Sequence, residues 1–106
     1  MKNQESEKMV FGHITRMFKR IANKKKATEL DDKIKALEKI KAHSAGAIAE
    51  VNAKRAADLA RGPIGQSREM AYDQAKNRHG GPTMLRDSAN TEIAKLRAER
   101  DKLRNP

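Results

Sequence analysis

The 106-residue chain contains no cysteine and no tryptophan, only three other aromatic residues and only three prolines. Each shortage removes a class of explanation. Without thiols there is no disulfide, no thiolate nucleophile and no cysteine-ligated zinc. With Phe11, Phe18 and Tyr72 as the whole aromatic set, base stacking has little to work with. No apolar run approaches the ~18 residues of a membrane span. The opening Met1-Lys2-Asn3-Gln4-Glu5-Ser6-Glu7 also lacks the apolar stretch of a secretion signal. The expected location is therefore the cytoplasm or the interior of an intracellular or virion assembly.

Large apolar residues are scarce too. Leu, Ile, Val and Phe together number 17, against a formal net charge of +10, so a deep core is out of reach. Sixteen alanines and abundant Lys, Arg, Glu and Leu raise helicity without needing one. The expected fold is all-α and elongated: a long central helix at about 29–60, a basic amphipathic N-terminal helix and a coiled-coil-like C-terminal helix. Helices that bury only a narrow stripe need one another or a second chain, so the molecule is expected to be oligomeric or docked on a partner. The expected division is a basic arm at 1–28 and a helical hairpin or bundle at 29–106, with turns at 61–67 and 79–83.

Charge is unevenly placed. Residues 1–28 carry eight basic and two acidic side chains, a balance of +6, and no carboxylate lies between Lys8 and Thr28. Within that stretch Phe11, Ile14, Phe18 and Ile21 recur at spacings of three, four and three, flanked by Val10 and Met17, with Arg16, Lys19, Arg20 and Lys24 opposite. The spacing predicts a helix over 9–24, although Gly12 costs it ~1 kcal/mol. Lys24-Lys25-Lys26 then suits a helix C-terminus.

Thr28-Glu29-Leu30-Asp31 resembles an N-cap with an acidic first turn, and the next stop signal is Gly62-Pro63. Two packing frames compete over the residues between. A heptad line from Leu30 meets Ile34, Leu37, Lys41, Ser44, Ile48, Val51, Arg55 and Asp58, so it ends on two charges. An eleven-residue line meets Leu30, Ile34, Leu37, Lys41, Ala45, Ile48, Asn52, Ala56 and Leu59, which is the more apolar of the two. On that count the seam is expected to be the hendecad, nearly straight or slightly right-handed and not a left-handed zipper, with Ala45, Ala49, Ala56 and Ala60 admitting a close neighbour and Asn52 fixing register.

Arg61 to Arg68 is a turn, with Ser67 the expected cap of a short helix from Arg68 to about His79 that has little to bury. His79-Gly80-Gly81-Pro82 breaks the chain again. In the last segment, Thr83 to Asn105, Ile93, Leu96 and Leu103 hold a seam with Arg100 at the remaining position, and the segment is expected to pack on the long helix. The packing set is thus Leu30, Ile34, Leu37, Ala45, Ile48, Ala56, Leu59, Ile93, Leu96 and Leu103.

Chemistry-bearing patterns are few. His13, His43 and His79 have no His, Asp or Glu three or four residues on, so no metal site is expected. The carboxylates mostly lie one helical turn from a Lys or Arg, the pattern of a solvated, salt-bridged face. Neither Gly62-Pro63-Ile64-Gly65 nor Gly80-Gly81 precedes the Lys-Ser or Lys-Thr of a phosphate loop. No cofactor, small-molecule substrate or catalysis is expected.

The basic helix is the exception, because seven cations in nineteen residues repel one another and call for an anionic partner. Arg16, Lys19, Arg20, Lys24, Lys25 and Lys26 are the expected contacts. The bland alternative is that Phe11, Ile14, Phe18 and Ile21 merely pack on the long helix. Nucleic acid held by its phosphates is the first choice of partner, an anionic membrane surface the second and an acidic protein the third. The expected function is a non-enzymatic structural or assembly protein that self-associates or docks through its long helices, as in a nucleoprotein or virion-like particle.

Overall fold

A computed structural model of the chain describes the backbone of residues 2–105 and the side chains of residues 12–105. It contains three helices and, among the described residues, no strand: α1 (Lys2–Arg61), α2 (Gln66–Asn77) and α3 (Pro82–Arg104). The molecule measures 90 × 18 × 16 Å. That length is set by α1, whose 60 residues at ~1.5 Å per residue account for ~90 Å.

The break expected between an N-terminal helix and a central helix does not occur, and α1 runs through it. No proline interrupts residues 2–61, and the stretch around Lys24-Lys25-Lys26-Ala27 consists of good helix formers. Thr28 does not cap a new helix. Its hydroxyl donates to the Lys24 carbonyl one turn back at 3.0 Å, the bond a threonine makes inside a helix. The cap-like residues sit in mid-helix because nothing before them stops the helix already under way.

After Arg61 the chain turns back. Gly62 has φ +141°, where a side chain would be strained. Helix α2 then begins at Gln66, ahead of the expected Arg68; its N-cap is Gly65 and not Ser67, with no side-chain cap bond. A second corner follows at Gly80, φ +73°, and Gly81, and Pro82 opens α3 in the first turn, where its missing N–H costs nothing. Together α2 and α3 form a bent return arm laid antiparallel along the second half of α1. The pairs Arg97–Glu38 and Arg100–Asp31 set the register of α3, while Lys76–Asn52, Tyr72–Asp58 and Arg55–Glu69 set that of α2.

The core between α1 and α3 is thin. Ile34, Ile93 and Leu96 are buried with Leu30 and Leu37 packed against them, and Ala27 and Ala89 are buried as well. By the register above, Ser44 and Ala89 lie at the same level; both are small and both are buried, which allows the helix axes to come close.

On α1 the inward positions are Ala27, Leu30, Ile34, Leu37, Ser44, Ile48, Val51, Arg55 and Asp58. This follows the heptad line except at the exposed Lys41, and it corrects the expected hendecad: Ala45, Ala56 and Leu59 lie on the exposed side, Leu59 at 41%, while Asn52, though exposed, accepts from Lys76 of α2. The charges that counted against the heptad are the ones that hold α2. Arg55 donates twice to Glu69, at 2.8 and 2.9 Å, and Asp58 accepts from the Tyr72 hydroxyl.

Candidate polyanion-binding face

The return arm covers α1 only from about Ala27 onward. Leu103 and Arg104, at the end of α3, lie beside Arg20, Asn23, Lys24 and Thr28. The next turns of α1 toward its N-terminus have no helix alongside them. Stepping back from Ala27 at the same three-and-four spacing gives Asn23, Arg20, Arg16 and His13. The line that is apolar under α3 thus becomes cationic and polar on the projecting part of α1.

The six expected anion contacts divide accordingly. Arg16, Lys19, Arg20 and Asn23 share one face and line a shallow depression of about 190 Å³. Arg20, Asn23 and Lys24 also line a larger cleft of about 520 Å³, closed on its far side by Leu103 and Arg104. Lys25 and Lys26 follow on other faces of the same turn, since successive residues diverge by ~100°. All six cations are exposed, and no ion pair among the described residues involves any of them. The cleft has no carboxylate in its lining, although Asp31 beside it pairs with Arg104, so its positive field comes chiefly from Arg20 and Lys24.

Arg104 and Asn23 were not anticipated. Asn23 follows from the seam line once its period is known. Arg104 lies 80 residues beyond Lys24 in the sequence, and only the antiparallel register of α3 places it there. Arg104 is held by Asp31, which also accepts from Arg100 at 2.9 Å. Asp31 is thereby kept below the usual carboxylate range, chiefly by the Arg100 hydrogen bond, against a smaller opposing effect of burial and with help from the Arg104 charge. At the other end of the hairpin the Arg55 guanidinium holds Glu69 low in the same way, and the hydrogen bond to Asp58 pushes the Tyr72 hydroxyl up. These groups are engaged in fixing helix against helix.

The apolar stripe of the arm lies about half a turn from Arg16 and Arg20. Ile14, Met17, Phe18 and Ile21 are 41%, 50%, 68% and 60% exposed, so the bland alternative of packing within the chain is not what these residues do. Val10 and Phe11, the rest of the sequence stripe, lie outside the described side chains. His13, His43 and His79 are exposed, and no group of three His, Asp or Glu side chains able to hold a metal occurs among the described residues. Among the described residues no helix is long and apolar enough to cross a membrane. Comparison with protein-family models, with curated proteins and with solved structures yields no match.

Proposed function

We propose that this chain is a non-enzymatic helical assembly protein that grips a polyanion, nucleic acid before any other, with the exposed cationic face of its projecting arm. The observation that carries the reading is the switch along one helix line, from Ile34 and Ala27 under α3 to Asn23 and Arg20 at the end of α3 and Arg16 beyond it. Arg16, Lys19, Arg20 and Lys24 spread their charges over about 12 Å of helix, enough to meet more than one phosphate. Such contacts position a protein on nucleic acid without reading sequence. The hairpin provides rigidity, and a role as a small component of a nucleoprotein or virion-like assembly is consistent with a molecule that is nearly all rod.

Phosphate binding of this kind weakens steeply with salt, by ~0.9 log units in affinity per log unit of salt for each phosphate engaged. Measured on duplex DNA, the intact protein is expected to give a slope of about −4 to −6. The triple variant Arg16→Gln, Lys19→Gln, Arg20→Gln should lose about 3 of that slope and keep its helicity. Binding that ignores salt, or a triple variant with an unchanged slope, would remove the reading.

A further inference from the structure

The cationic face leaves the apolar stripe on the other side of the arm without an occupant: four large side chains within eight residues of one helix, each 41–68% exposed. Within the chain the return arm cannot reach it. Helix α3 packs along the line through Ala27, Leu30 and Ile34, which extends through Asn23, Arg20 and Arg16, and Ile14, Phe18 and Ile21 face away from that line. A second copy pairing arm to arm fits poorly for two reasons. The described stripe offers on the order of 400 Å², about half of the ~800 Å² that each side of a stable protein interface contributes. No carboxylate lies between Lys8 and Thr28, so two arms side by side, parallel or antiparallel, form no cross-helix ion pair and place like charges together.

A partner for this stripe must be apolar at its centre and anionic around it. Lys24 and Lys25 flank the C-terminal end of the stripe, and Arg20 lies to one side of it; all three have stems long enough to place their charges at a lipid headgroup layer while Ile14, Phe18 and Ile21 enter below. We infer that the projecting arm lies on an anionic lipid surface, stripe inward, with Arg16 and Lys19 still facing water. This goes beyond the proposed nucleic-acid contact and rests on the apolar stripe, with Arg20 and Lys24 bordering both faces. Where both hold, one helix joins a phosphate backbone on one side to a bilayer surface on the other.

The test uses the full chain and two kinds of vesicle, phosphatidylcholine alone and phosphatidylcholine mixed with phosphatidylserine, with flotation as the readout. The intact protein is expected to float with the mixed vesicles and not with phosphatidylcholine alone. Phe18→Ser with Ile21→Ser should weaken that binding by roughly ten-fold or more, since two exposed side chains cease to bury apolar area. The same variant should keep its melting temperature and bind DNA within about two-fold of the parent, because phosphates do not need the stripe. The Arg16→Gln, Lys19→Gln, Arg20→Gln variant separates the readings: loss of DNA binding with much of the lipid binding retained supports two faces. No flotation of the intact protein, or flotation unchanged by the serine pair, overturns the lipid inference and leaves the DNA reading standing. A fall in molecular mass on introducing the serine pair would also overturn it, in favour of a second copy.

Discussion

The two parts of α1 share one backbone and differ in everything the backbone carries. From Ala27 to Asp58 the inward line is covered by α2 and α3, and charges on or beside it bond across helices: Asp31 with Arg100, Asp58 with the Tyr72 hydroxyl and Arg55 with Glu69. From residue 12 to Lys26 the same line is cationic, and the apolar residues have moved to the opposite side. The hairpin buries its apolar line between helices, although Ile40, Leu59, Met70, Met84 and Leu85 remain exposed on its outer faces. The arm has no helix alongside it before Arg20, and it exposes both its cations and its apolar stripe.

If that contrast is right, one substitution should act oppositely in the two regions. Ile34→Asp places a carboxylate against Ile93 and Leu96 and should cost several kcal/mol, enough to melt the hairpin at modest temperature. Phe18→Asp should change stability by less than about 0.5 kcal/mol, because Phe18 is 68% exposed. Thermal melts followed by circular dichroism decide it; a large loss from Phe18→Asp would mean the arm is core after all.

Gly81→Ala sharpens the account of the corner between α2 and α3. A Cβ there would lie 2.8 Å from the Arg78 carbonyl oxygen and 2.8 Å from its Cγ, and the backbone oxygen cannot swing aside as a side chain does. The expected cost is about 1–3 kcal/mol, with α3 loosened more than α2. Amide exchange along α3 measures this, and unaltered protection would show that the corner has room.

Acid titration examines the ion pairs across the helices. Asp31 and Glu69 are both depressed by arginine partners, so each contributes stability that is fully present above its unfolded value near ~4 and is lost as pH falls through its lower folded value. The hairpin should therefore weaken progressively below about pH 4, and Asp31→Asn should flatten that limb. A variant whose acid limb matches the parent's would show that Asp31 carries none of it.

The smallest expected effect concerns the packing frame. Leu59→Ser should stay within about 0.5 kcal/mol of the parent, since Leu59 faces away from α2, whereas the hendecad frame would make it a core loss. Melts of the purified variant read the difference.

How much of this the sequence carried depends on which interactions are local. The all-α class, the corners near Gly62 and Gly80, the basic stripe and the packing of Leu30, Ile34, Leu37, Ile93 and Leu96 follow from composition, breakers and short spacings, and the structure places them so. The continuity of α1 through Thr28 was hidden by cap-like residues, whose meaning depends on whether a helix is already under way. The heptad line was discounted because Arg55 and Asp58 look wrong for a seam until Glu69 and Tyr72 are brought across from α2. Arg104 could not be joined to Arg20 and Lys24 without the register of α3. Except at Thr28, whose partner Lys24 is one turn back, what the sequence conceals is a partner on another helix.

The most direct test of the central claim is to remove the arm and measure fold and binding on the same sample. Deleting residues 1–22 takes Arg16, Lys19, Arg20 and the whole apolar stripe, but leaves Ala27, which is buried in the hairpin. The account predicts an unchanged melting temperature, helicity reduced only by the helix removed, and loss of most of the salt-dependent DNA affinity. A truncated chain that unfolds, or one that binds DNA with the slope of the intact protein, would contradict it.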